Sequence, residues 1–417
     1  MQHRLIAAFL LGVCMACCGC DAAREPDDQA YIIAVGVDKS DQKGMIDVTY
    51  VAALPVAASE GGGGSGGGEQ QKITTEVTFT APSLAETRNL LNSVSYFFPT
   101  LTHVKILVMG EELAKQGIGD VIGPLIRFRE YRGTNYVVVA KGTAKNFLKK
   151  NKPGIPGSAS RYFESMMETA SETSYYLKTT LHEFYLRLKD ADGTSYTAMV
   201  AVNPQTMEDL AARPRISGQK TEEYYVGDIP RSSSGANPVE FVGTAIFKDE
   251  KMVGMLTNAE TRSLALLTGK YRRGYETLED PLAPKHGINV NLRQGEKPDI
   301  MTSIVDGKPV VHITVYLEGE VTSIPSGINY EKAEYRELLE EAVSRITREE
   351  ITHLVALCQE KGTDIVGIGY HFRNKFQKIE DWEGYAWPEK FPQADITVEV
   401  KCKIRRTGLM WRTTPKQ

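Results

Sequence analysis

The sequence predicts a mixed α/β protein of the α+β kind, with helices packed on mainly antiparallel or mixed sheets. Three observations carry this. Alternating apolar runs come in neighbouring pairs joined by short polar turns, which is hairpin patterning. Glu331 to Glu360 places Tyr335, Leu339, Ala342, Val343, Ile346, Leu354 and Val355 on one stripe at helical spacing. A last alternating run, Asp395 to Ile404, follows that helix as a returning strand. The composition, 41% hydrophobic and 24% charged, is that of a folded body, and 417 residues exceed one domain of usual size.

The N-terminus is a leader rather than part of the fold. Met1-Gln2-His3-Arg4 is a positive start, and Leu5 to Ala16 is an almost unbroken apolar run. Cys17-Cys18-Gly19-Cys20 follows, and then the polar Asp21-Ala22-Ala23-Arg24-Glu25. The apolar part falls short of the roughly 20 residues a membrane helix needs, so it reads as a secretory signal peptide, residues 1–19. Gly19 before Cys20 resembles a bacterial lipobox, in which the new N-terminal cysteine carries a diacylglyceryl group on its sulfur. Cys17 and Cys18 are rival cleavage points; Cys20 is preferred because the polar chain begins right after it.

Ala30 to Val37 and Met45 to Ala53 read as paired strands, and Ile73 to Thr80 as a third. Between the last two lies the glycine run 60–68, with Ser65 among seven glycines. It has no side chains to bury and is expected to be a mobile loop. Ser83, with Glu86 three residues on, opens a helix whose face is Leu84, Thr87, Leu90, Leu91 and Val94. Val104 to Met109 and the valines of Tyr136 to Ala140 read as buried strands. Helices are expected at Glu111 to Gln116 and Val121 to Arg129, with a break at Gly117. Lys149 to Ser160 reads as loop, Tyr162 to Leu188 as helix, and Ala198 to Val202 as strand.

Ala211 to Asn237 is polar and irregular. Phe241 to Phe247 and Met252 to Leu256 form a hairpin across Lys248-Asp249-Glu250-Lys251. Thr257 and Glu260 form a capping-box pattern before a helix, Ala259 to Leu267, closed by Gly269. Ser303 to Val305 and Val310 to Val321 pair across the Asp306-Gly307 turn. In the second of these strands Val311, Ile313, Val315 and Leu317 share one face.

Function classes narrow by charge and by motif. A net charge of −4 leaves no basic footprint for nucleic acid. No segment after the leader has the apolar length of a membrane span, so the link to a membrane rests on the N-terminus. The seven histidines show no zinc-ligand spacing, and neither His-Glu-x-x-His nor Gly-x-Ser-x-Gly occurs. The residues thus point to no catalytic, cofactor or metal site; a carboxylate pair meeting only in space stays open as a hydrolase alternative. Cys358 and Cys402 both fall on apolar faces and read as buried thiols, with their pairing open. Trp382 and Trp387 are candidates for a partner-contact surface or for a loop's own small core. Arg405 and Arg406, beside the last strand, are candidates for contact with headgroups or an acidic partner.

Several separate stretches resemble the Ger(x)C family of spore germination lipoproteins, the C subunits of nutrient germinant receptors. Gly19-Cys20 with Ile32-Ile33-Ala34-Val35-Gly36-Val37-Asp38-Lys39 is similar to the family's opening, and the run from His103 to Ile118 to its middle signature. Gly243-Thr244-Ala245-Ile246-Phe247-Lys248 with Met252-Val253-Gly254 comes next. Thr363-Asp364-Ile365-Val366-Gly367-Ile368-Gly369, Trp387, Phe391-Pro392 and Ile404-Arg405-Arg406-Thr407-Gly408 resemble its end. Two departures stand out: Asp21 where the family usually has Trp, and the glycine run, which looks like an insertion.

The resemblance implies a three-domain body, with an N-terminal domain 20–190, a middle domain 191–285 holding the irregular connection 211–237, and a C-terminal domain 286–417. It implies a non-enzymatic, lipid-anchored subunit at the outer face of the inner spore membrane, assembled with integral-membrane receptor subunits of the A and B types. The family brings no catalytic residues to carry over. The rival class is an extracytoplasmic solute-binding lipoprotein, which shares the anchor but is usually built from parallel strand-helix-strand units.

Overall fold

A computed structural model describes residues 28–53, 74–152, 159–190, 193–203, 223–230 and 237–406. Cys20, the glycine run 60–68, most of the connection 211–237 and Thr407-Gly408 lie outside the described residues. The architecture is mixed α/β: two mixed sheets with helices against them.

The first sheet opens with β1 (Gln29–Lys39), β2 (Ile46–Ala53) and β3 (Thr74–Ala81), paired antiparallel in sequence. The short β4 (Phe98–Thr100) runs parallel to the start of β1. Next come β5 (Ile106–Gly110), β6 (Tyr136–Ala140), β7 (Thr194–Val202), β8 (Val239–Lys248) and β9 (Lys251–Leu256). The order is β3-β2-β1-β5-β6-β7-β8-β9. Its centre, β1-β5-β6-β7, is parallel, and antiparallel ribbons flank it on both sides. The central strands are buried on both faces, as the continuous valine runs require.

Helices cover both faces. Ser83 caps α1 (Leu84–Val94) by accepting from the Glu86 N–H. Leu84, Thr87 and Leu91 of its expected face are buried, but Leu90 and Val94 are exposed and Arg88 is buried in their stead. α2 (Glu111–Gln116) ends at Gly117, whose φ of 135° favours glycine, and α3 (Gly119–Arg127) follows. α4 (Ala144–Lys150) is not among the expected elements, and it ends where the expected loop from Lys149 begins. Its N-terminus is held by Thr143 and by buried Asp38, whose carboxylate accepts from the Ala144 and Lys145 N–H groups at 2.7 and 2.9 Å. The helical stretch after residue 158 divides into α5 (Ala159–Glu168), α6 (Ala170–Thr173) and α7 (Leu181–Lys189).

The capping box opens α8 (Asn258–Leu267): Glu260 N–H donates to Thr257 Oγ1 and Thr257 N–H to Glu260 Oε2. The second sheet is β10 (Arg273–Glu279), β11 (Gly287–Val305), β12 (Lys308–Ser323) and β13 (Asp395–Arg406), in that order. The first three pair antiparallel, and β13 returns parallel to β12 after the long α9 (Ala333–Glu360). Val311, Ile313, Val315 and Leu317 all face the core, with Leu339, Val343, Ile351 and Leu354 of α9 against them.

Sheet continuity does not follow the expected domain limits. β7, β8 and β9, from the expected middle domain, complete the first sheet, and β10 joins the second. The limit at residue 285 falls in the β10–β11 hairpin.

Candidate functional site: the junction of the two sheets

The two sheets meet at the segment following α9. Gly362 and Thr363 turn the chain, and Asp364 then lies fully inside the protein. Its Oδ1 accepts from the N–H groups of Gly367 (2.9 Å) and Ile368 (3.0 Å). Its Oδ2 accepts from the Gly369 N–H (2.7 Å) and the Trp387 Nε1–H (2.9 Å). Burial pushes the Asp364 carboxyl up, and the four donors around it pull it down. Gly367 has φ of 88°, a left-handed turn that lets the backbone fold over the carboxylate. The same segment reaches the first sheet: Thr194 Oγ1 donates to the Asp364 carbonyl at 3.1 Å, and Arg187 Nη1 to the Ile365 carbonyl at 3.3 Å. Arg187 and Lys270 lie on the Tyr196 ring, at 4.5 and 5.2 Å from its centre. One buried carboxylate thus organises the turn, the aromatic cluster and the seam.

Trp387 is 1% exposed and Trp382 is 6% exposed. They stand among Phe372, Phe376, Tyr385 and Phe391, carried on α10 (Gly369–Arg373), the loop after it, α11 (Ile379–Tyr385), α12 (Trp387–Lys390) and the turn after it. Phe372 lies 4.7 Å and Phe391 5.7 Å from the Trp387 ring. The two rings pack on one another, centroids 6.5 Å apart, and are buried within this chain. Both rings belong to the hydrophobic core shared by β12, β13 and α9, not to a separate core of the loop.

Arg405 and Arg406 are exposed at the end of β13. Arg405 Nε is 3.3 Å from Glu318 Oε1, and Arg293 shares that carboxylate. The hydrogen bond from Arg293 outweighs the other influences and holds the Glu318 carboxyl below its usual range. The strand end is pinned by Glu340 of α9, which accepts from the Ile404 N–H at 2.9 Å and from Lys403 Nζ at 2.8 Å. Cys358 and Cys402 are free and buried, and burial pushes the Cys402 thiol to about 12. Such thiols stay protonated and unreactive at neutral pH.

Among the described residues no group of three His, Cys, Asp or Glu side chains is arranged to hold a metal ion. No described helix is long and apolar enough to cross a membrane. An open cleft of about 290 Å³ runs along α9, lined by Leu338, Glu341, Ala342, Ser344, Arg345 and Arg348.

Comparison with known proteins bears on both halves of the chain. Residues 22–202 match the family "Spore germination protein N-terminal domain" and residues 242–408 match "Spore germination B3/ GerAC like, C-terminal". Spore germination protein B3 of Bacillus subtilis (strain 168) is 23% identical over 94% of this chain and 95% of its own length. Spore germination protein KC of the same strain is 23% identical over 97% and 96%. The crystal structure of the GerBC protein aligns with a TM-score of 0.49 and 20% identity, over 90% of this chain and 98% of that one. With both matched regions in order along most of its length, the chain belongs to the Ger(x)C family of spore germination proteins.

Proposed function

We propose that this protein is a lipid-anchored, non-enzymatic subunit of a spore germinant receptor. It is held through Cys20 on the extracytoplasmic face of the inner spore membrane. There it acts with integral-membrane subunits of the A and B types in nutrient-triggered germination. The observation that carries this reading is the family match over both halves of the chain. The leader, with Gly19-Cys20 at its polar boundary, supplies the anchor. Two acyl chains give stable attachment where one gives only marginal binding.

Cys20→Ala is expected to abolish lipid labelling and to block processing at that site, leaving the uncleaved leader as a weaker tether. Mass spectrometry of the mature N-terminus checks this. An unmodified N-terminus elsewhere, or lipid on Cys17 or Cys18, refutes the site.

The parallel centre of the first sheet favours one second reading, the solute-binding lipoprotein, whose lobes are built on parallel sheets. The antiparallel ribbons and the second sheet speak for the receptor subunit. Titration calorimetry with amino acids and sugars should show no saturable heat. A stereospecific micromolar site would move the assignment to the solute-binding class.

A further inference from the structure

The end of the first sheet where its parallel strands begin carries an exposed apolar group on one short stretch. Leu90 is 40% exposed, Val94 64%, Tyr96 96% and Phe98 44%. The stretch runs from the last turns of α1 into β4. Residues of this kind are normally scattered singly over a surface, and a contiguous group marks a contact. Leu101, directly after β4, ties this stretch to the loop before β6: its N–H donates to Glu130 Oε2 at 3.2 Å. That loop exposes Arg129 and Arg132. Aromatic and aliphatic side chains flanked by cations are the chemistry of a bilayer interface.

The position of the chain's entry selects the occupant. β4 is in register with the first residues of β1: Phe98 stands opposite Gln29, and Thr100 opposite Tyr31. The apolar group therefore lies where the polypeptide arrives from Cys20. Eight residue steps separate Cys20 from Asp28, a reach of at most roughly 26–29 Å. An anchor at Cys20 keeps the start of β1, and with it this end of the sheet, within that distance of the acyl chains.

We infer that Leu90, Val94, Tyr96 and Phe98 form a second, non-covalent membrane contact, dipping into the headgroup region of the bilayer that carries the anchor. The inference rests on the anchoring proposed above and adds an orientation: the parallel strands of the first sheet begin at the membrane and run away from it. Lys43, in the turn after β1, then stands on the far side. β1 spans eleven residues, which at about 3.3 Å per residue is about 33 Å of separation.

The test places a bimane fluorophore on single cysteines at Val94→Cys, Tyr96→Cys or Lys43→Cys. The native thiols of the described body, Cys358 and Cys402, are buried and shielded from labelling. Two preparations of the mature chain are compared on vesicles of phosphatidylcholine and phosphatidylglycerol that contain nitroxide-labelled lipid. One is the natively processed protein. The other carries Cys20→Ala and a hexahistidine ahead of residue 21, held by nickel-chelating lipid. Fluorescence at 94 and 96 should be lost to the nitroxide lipid in the tethered preparation, while that at 43 persists. Equal emission at all three positions overturns the inference. So does shielding at 96 that arises only when integral-membrane receptor subunits are added, which would make this surface a protein interface. Flotation of the native preparation reports on the anchor separately. Loss of flotation with quenching intact in the tethered form refutes the Cys20 anchor and leaves the contact standing.

Discussion

Trp387→Ala is expected to destabilise the C-terminal part of the protein by about 3–5 kcal/mol, the usual cost of deleting a large buried aromatic. The ring is 1% exposed and stands among Phe372, Trp382 and Phe391, so its removal leaves a cavity that these three side chains cannot fill. It also takes away one of the donors to Asp364. Trp387→Phe separates the two effects: it keeps most of the packing and loses the indole N–H, so its cost should be smaller than that of the alanine. Urea unfolding followed by near-ultraviolet circular dichroism measures both. Unchanged stability together with failed receptor assembly would show that Trp387 acts as an interface residue.

Asp364→Asn should cost roughly 2–6 kcal/mol although it changes neither size nor shape. The side chain's four partners all donate, two to each oxygen. An amide nitrogen in place of either oxygen points donors at two N–H groups and leaves both unpaired, at about 1–3 kcal/mol each. Because the Asp364 and Ile365 carbonyls also accept from Thr194 and Arg187, the loss should loosen the seam between the two sheets. Hydrogen exchange would report this as lowered protection on both sides of the seam, at the start of β7 and in 364–369. A stability equal to the wild type's would mean that the carboxylate does not organise the turn.

Local patterns were legible and distant ones were not. The Thr257–Glu260 capping box, the Asp306-Gly307 turn, the stripe of α9 and the alternation in β12 each depend on residues close in sequence and form where read, although the strand before the turn begins at Gly287, well before the expected Ser303. The parallel pairing of β1, β5, β6 and β7 depends on contacts between segments far apart, which no local period encodes. The valine run Tyr136–Ala140 announced burial but not its neighbours. α4 escaped notice because part of its N-terminal cap comes from Asp38, more than a hundred residues away. Leu90 and Val94 fit a helical core stripe by spacing, and the structure leaves them outside while burying Arg88, which donates to the Pro99 carbonyl and lies 3.5 Å from Glu130.

The junction was half legible. The stretch Thr363 to Gly369 stands out only through its resemblance to the family's end, and Trp387 reads as either a partner contact or part of a loop's core. Asp364 carried a usable signal, an aspartate three residues before a glycine, the pattern of a side chain that bonds its own backbone further on. That signal cannot show that a tryptophan more than twenty positions away supplies the fourth donor.

The proposed role makes this chain one subunit of a membrane receptor. Crosslinking followed by affinity purification from spore inner membrane tests it most directly. The chain is expected to be recovered from the membrane fraction with its lipid on Cys20, crosslinked to integral-membrane subunits of the A and B types. Recovery in the soluble fraction, or from the membrane without either subunit at any crosslinker concentration that captures known membrane neighbours, would contradict it.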